Sequence, residues 1–275
     1  MASDAVRGRF LWHELMTSDP AGASTFYGAL VGWGTMPWMD GSYTLFTMGD
    51  VPRAGMMALL PEMKSVGVPP HWLCYFGVPD CDAATAEAAR LGATVVRPPA
   101  DIPGTGRFSV VYDPQQAVFC LYTPAEAPAS WPEPGLGDFT WHELATTDVD
   151  AALRFYGALL GWSKVDEVDM GEQGKYCMFG CGAGPIGGMY LKPAEVPYSN
   201  WLPYACVPSV DAAAEVASAK GGTILVPPMD VPGGDRITML MAPPGAGSGV
   251  QGTGGSGGIG REKAGGCHCQ PQSGE

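Results

Sequence analysis

Apolar and polar positions alternate from Phe10 to Thr17, the two-residue period of a strand with one buried face. The run ends in Ser18-Asp19-Pro20, where Asp19 suits a helix N-cap and Pro20 the first helical position. The helix so started carries Phe26, Tyr27 and Leu30 and stops at Gly32, a residue suited to the left-handed conformation that ends helices. Short strands are predicted over 43–48 and 53–59, with turn residues between them. A second unit follows: a strand over 72–78, an Ala-rich helix over 82–91 stopped by Gly92, then strands near 94–97, 107–112 and 118–122. The pattern is βαβββ, twice over.

The whole pattern returns 129 positions later. Phe10-Leu-Trp-His-Glu-Leu15 recurs as Phe139-Thr-Trp-His-Glu-Leu144, and residues 8–33 match 137–162 at 16 of 26 positions. The register holds further on, with Trp72 against Trp201, Pro98-Pro99 against Pro227-Pro228 and Arg107 against Arg236. The chain is a tandem duplication, with domains expected at 8–124 and 137–250. Residues 125–136 are rich in proline and predict a stiff, extended linker. Residues 251–275 are Gly/Ser-rich and are expected to stay unfolded, because such a composition cannot bury enough surface. In the second copy Asp113-Pro114-Gln115 becomes Ala242-Pro243-Pro244, followed by Gly-rich sequence where a strand belongs. A weak or missing last strand is expected there, and a change of reading frame near Met241 would account for it. On that ground the N-terminal copy is expected to carry the function and the C-terminal one to be mainly structural.

With 46% hydrophobic residues over 275 positions, the chain can build two proper cores. The net charge of −13 argues against nucleic acid or an anionic membrane as partner. No apolar run is long enough to span a bilayer, and the first nine residues lack the apolar core of a signal peptide. Cys74, Cys120, Cys177 and Cys206 lie singly in apolar stretches, the pattern of buried free thiols in a reducing cytoplasm. Cys267-His268-Cys269 offers too few ligands for a structural zinc site. The short linker keeps the copies close, so a monomer or weak dimer is expected.

The spacing Trp12-x-Glu-Leu-x-Thr-x-Asp19, then Phe26-Tyr-x-x-Leu30-x-Gly-Trp33, resembles the opening of a vicinal-oxygen-chelate domain of the glyoxalase/bleomycin-resistance/dioxygenase type. Val78-x-Asp80, Leu91-Gly92-Ala93 and Asp113-Pro114 resemble its second module. The resemblance implies an α+β fold of two tandem domains. In each, two βαβββ modules curl eight strands into a half-open cup. It further implies binding or transformation of a small organic molecule, by a lyase, isomerase or dioxygenase or by a protein that only sequesters its ligand. Such cups often hold a divalent metal between a His on the first strand, a His or Glu on the fifth and a Glu on the eighth. Those positions fall here on Trp12, Leu73 and Cys120, and in the second copy on Trp141, Leu202 and Gly249. No metal or other cofactor is therefore expected, with a displaced site using His71 and Glu14 as the alternative.

Glu14 shares the cup face with Trp12 and is the candidate general base, since a carboxylate in an apolar cup has its pKa raised. Its bland alternative is a Glu tied to a backbone N–H or an Arg. Trp12, Met16, His71, Arg107, Trp141 and Glu143 are the candidate substrate contacts. Arg107 and Arg236 follow Gly-rich turns, where they could clamp a carboxylate, although pairing with nearby Asp or Glu is the plainer reading. His13 should point to the helix-packed side as a hydrogen-bonded core histidine, and His71 should sit at a strand edge after Pro69-Pro70.

Overall fold

The computed structural model describes residues 4–253 except Ala129, Ala183 and Pro244. The N-terminal repeat runs β1 (Phe10–Thr17), α1 (Pro20–Val31), β2 (Gly34–Trp38), β3 (Tyr43–Met48), β4 (Val51–Ala58) and α2 (Pro61–Ser65). It continues with β5 (His71–Gly77), α3 (Cys81–Arg90), β6 (Thr94–Ile102), β7 (Gly106–Tyr112) and β8 (Val118–Pro124). The C-terminal repeat runs β9 (Phe139–Thr146), α4 (Val149–Leu160), β10 (Ser163–Asp169), β11 (Lys175–Gly180) and β12 (Gly187–Leu191). It ends with β13 (Asn200–Cys206), α5 (Val210–Ala219), β14 (Thr223–Asp230), β15 (Asp235–Ala242) and β16 (Ala246–Thr253). Each repeat supplies one eight-stranded mixed sheet, in the orders β2-β3-β4-β1-β5-β8-β7-β6 and β10-β11-β12-β9-β13-β16-β15-β14. The fold is α+β, with one eight-stranded sheet per repeat as the resemblance implies.

Local chemistry sets the helix ends. The Asp19 carboxylate accepts from Gly22 N at 2.9 Å, and Asp148 does the same for Ala151 N at 2.9 Å, satisfying amides that the helix itself leaves open. Gly32 and Gly161 close α1 and α4 in the left-handed region, at φ 86° and 78°.

Two compact units form, and their boundaries cut across the repeats. One comprises 4–13, 73–131 and 142–202; the other comprises 14–72, 132–141 and 203–253. In the first, α3 and α4 pack together over Phe76, Phe119, Leu121, Leu144, Tyr156, Trp162, Phe179 and Trp201. In the second, α1 and α5 pack over Leu15, Phe26, Tyr27, Trp33, Phe46, Trp72, Leu240 and Val250. Each core therefore takes the second module of one repeat and the first module of the other.

The expected weakness of the last strand is corrected. β16 pairs antiparallel with β15 from Asp235↔Thr253 to Ala242↔Ala246, and parallel with β13 at Tyr204↔Gly249, Ala205↔Val250 and Cys206↔Gln251. Its small residues are required by packing. The Tyr204 ring lies where a Cβ on Gly249 would stand, a Cβ on Gly252 would meet Val207 O at 2.7 Å, and Ala246 and Val250 are buried. The ordered chain thus passes residue 250, where the tail was expected to begin; the Cys267-His268-Cys269 cluster lies outside the described residues. Cys74, Cys81, Cys120 and Cys177 are buried free thiols and Cys181 an exposed one. Cys206 is fully buried at the end of β13.

Candidate functional site

In the unit that contains residues 142–202, β9 runs parallel to β12 with Glu143 beside Gly188 and Leu144 beside Met189. Leu144 and Met189 are fully buried in the core, so strand alternation turns Glu143, Gly188 and Tyr190 to the opposite face. β11 adds Tyr176, directly across from Tyr190. The hydroxyl end of the Tyr176 ring lies in the space a side chain at Gly188 would occupy. From that position its hydroxyl donates to Glu143 Oε1 at 2.8 Å. The rings of Tyr176 and Tyr190 stack, with centroids 6.2 Å apart and planes 16° from parallel. All three side chains are half-buried. Burial, followed by the Glu143 charge, pushes the Tyr190 phenol above its ordinary value. Among the described residues the Tyr190 hydroxyl takes part in no hydrogen bond.

The N-terminal repeat builds a related group in the other unit. Glu14 stands beside Gly55 across β1 and β4, and the Tyr43 side chain fills the space above Gly55. Glu14 is buried, only 7% exposed, and Met57 holds the position of Tyr190. A single repeat offset does not bring the tyrosines into register. Glu14 and Glu143 are 129 positions apart, but Tyr43 and Tyr176, like Gly55 and Gly188, are 133 apart. The extra residues fall between β10 and β11, and α2, longer than the turn that replaces it, restores the register by Trp72. Re-registering the repeat in that stretch aligns the Tyr and Gly pairs.

Trp12 and Trp141 precede Glu14 and Glu143 by two residues and share their strand faces, partly exposed. Met16 is buried opposite Met57. Arg107 does not stand as an open anion clamp: it donates to Asp82 at 2.6 and 2.9 Å and to Asp101 at 2.8 Å. Arg236 repeats this with Asp211 and Asp230. His71 opens β5 with its Nδ1 held by Pro69 O at 2.8 Å.

His13 is buried, and its Nε2 meets Nε2 of His142, its counterpart in the repeat, at 2.8 Å. His142 Nδ1 donates to Ile186 O at 3.3 Å, which fixes its Nε2 as the acceptor and His13 Nε2 as the donor. Phe10 stacks on His142 at 3.4 Å between centroids. Burial, and for His13 the neighbouring His142, pushes both rings below the ordinary histidine range, His142 to about 3. Neither is in a state to bind a proton near neutrality.

The side chains at the family's ligand positions do not fit a hard divalent ion. An indole, a buried leucine and a buried thiol stand at Trp12, Leu73 and Cys120, and hard ions take oxygen and imidazole donors. Among the described residues no three His, Cys, Asp or Glu side chains gather as a metal-holding group. No helix there is long and apolar enough to cross a membrane.

These features meet known proteins in both repeats. Residues 138–255 match the family described as Glyoxalase/Bleomycin resistance protein/Dioxygenase superfamily, and residues 13–122 match the Glyoxalase-like domain. The chain is 31% identical over 249 residues to CFP32 of Mycobacterium tuberculosis, provisionally named a glyoxylase, covering 89% of this chain and 94% of that one. It is 29% identical over 253 residues to the anthracycline biosynthesis protein DnrV of Streptomyces peucetius, covering 87% and 91%. The Mn(II)-bound glyoxalase of Novosphingobium aromaticivorans shares the fold at a TM-score of 0.64, with 15% identity over 90% of this chain and 82% of that one. The chain belongs to the glyoxalase/bleomycin resistance/dioxygenase superfamily. The match to the superfamily runs past Met241 to residue 255.

Proposed function

We propose that this protein binds and transforms a small neutral organic molecule on the face of its sheet that carries the Glu–Tyr group, with a glutamate as proton acceptor and no resident divalent metal. The observation that carries the reading is the 2.8 Å bond from Tyr176 to Glu143, on the face turned away from the core. A carboxylate held in one orientation by a phenol, on a half-buried aromatic surface, suits acceptance of a proton from a bound ligand. Anionic ligands are disfavoured by Glu143 itself and by a net charge of −13. Isothermal titration of small ketones and aldehydes against their matching carboxylates tests the reading. The carbonyl compounds should bind and the carboxylates should not, and Glu143→Gln should abolish turnover while affinity stays within a few-fold. Binding confined to carboxylates would contradict it. Affinity lost without any turnover in the parent protein would leave sequestration as the function.

A further inference from the structure

We infer that Tyr190 donates a hydrogen bond to the carbonyl oxygen of a neutral, enolisable ketone held against Glu143 in the C-terminal repeat. The inference rests on the reading above and adds the ligand class and the group that holds its oxygen. Three features of the structure converge on it. Tyr190 presents a half-buried phenol with no hydrogen bond among the described residues, and such a group gains most from a ligand acceptor. Its ring is fixed by stacking on Tyr176, and Tyr176 in turn fixes Glu143, so donor and base are set on one face by the same side chain. The N-terminal repeat has Met57 at the position of Tyr190, which has no hydrogen to donate, and its Glu14 is buried.

Donor and base then act on neighbouring atoms. The Glu143 carboxylate takes a proton from the carbon beside the carbonyl. The C–H bond breaks, its electron pair forms a C=C bond, and the displaced carbonyl pair settles on oxygen, against the Tyr190 O–H. The proton on Glu143 exchanges with solvent, and return of a solvent-derived proton from Glu143 to the same carbon gives the exchanged ketone and restores the carboxylate. Nothing is oxidised or reduced, and no co-reactant is needed. This assignment runs against the expectation that the N-terminal repeat carries the function, which rested on the lack of a His71 counterpart at Asn200 and on a weak last strand that β16 in fact supplies.

The test uses the full chain with 2-hydroxyacetophenone as probe. Its binding is followed by line broadening in proton NMR, and exchange of its methylene protons for deuterium is followed in D2O. The parent protein should bind the probe and speed exchange. Tyr190→Phe, which keeps the ring and its packing, should bind with KM little changed but exchange about 100-fold more slowly, the usual scale for loss of one such donor. Glu143→Gln should abolish the exchange, and it should do more damage than Glu14→Gln. Exchange by Tyr190→Phe at the parent rate, or binding of the probe by the parent protein without exchange, would overturn the inference while leaving the binding reading intact. Failure of the parent protein to bind the probe at all would overturn both.

Discussion

His13 and His142 share a single hydrogen between their Nε2 atoms, and burial holds both rings neutral in the folded chain. Unfolding releases them to water, where imidazoles take up protons near pH 6.5. Between that value and the folded value of His142, about 3, the unfolded chain binds more protons than the folded one. Their contribution is therefore complete above pH 6.5 and is lost as the pH falls, by up to about 1.4 kcal/mol per pH unit for each ring. His71, also lowered by burial, acts in the same sense. Asp113, raised by burial, opposes it at the acid end. Asp82, Glu87, Glu167 and Asp211 are lowered chiefly by hydrogen bonds from Arg or Lys side chains and respond only below the ordinary carboxylate range. Urea midpoints should thus change little above about pH 7 and fall from about pH 6.5 to pH 5.0, and a midpoint flat across that lower span would contradict the buried neutral pair.

At the scale of the element, β16 shows how glycine can be a packing residue. Ser248-Gly249-Val250 has little side chain of its own, yet its neighbour Tyr204 lies down over Gly249, and Ser248 Oγ meets Tyr27 OH at 3.3 Å. Gly249→Ala should force the buried Tyr204 ring to shift, at a cost of about 1–3 kcal/mol. Urea unfolding monitored by circular dichroism measures it; an unchanged or raised midpoint would show that the ring has room to move. This strand was not legible in the sequence because its bulk comes from a neighbouring strand, whereas a propensity reading counts only the strand's own residues. Helix ends were legible for the opposite reason. Asp19, Asp80 and Asp148 each act on amides within three residues, and Gly32 needs no partner beyond its own turn. The Glu–Tyr group falls between these cases: its glutamates stood out through the repeat, but its tyrosines come from strands displaced by an insertion in one copy.

Across the whole molecule, the duplication was visible as sequence identity, but the partition of the cores was not. Identity records which module descends from which, while packing pairs the second module of the first repeat with the first module of the second. The superfamily to which the chain belongs was likewise legible, since cap, helix stop and strand spacing recur in both copies. The proposal of a site without a resident metal rests on the indole, leucine and thiol at the ligand positions, beside a tyrosine-held glutamate on the face turned from the core. Elemental analysis of protein purified without a metal-affinity tag, with residues 254–275 removed, tests that most directly. Manganese, iron, nickel and zinc together should amount to well under one equivalent per chain, and incubation with a chelator should leave the unfolding midpoint where it was. One equivalent or more of a single metal, removed by the chelator with loss of stability, would contradict it.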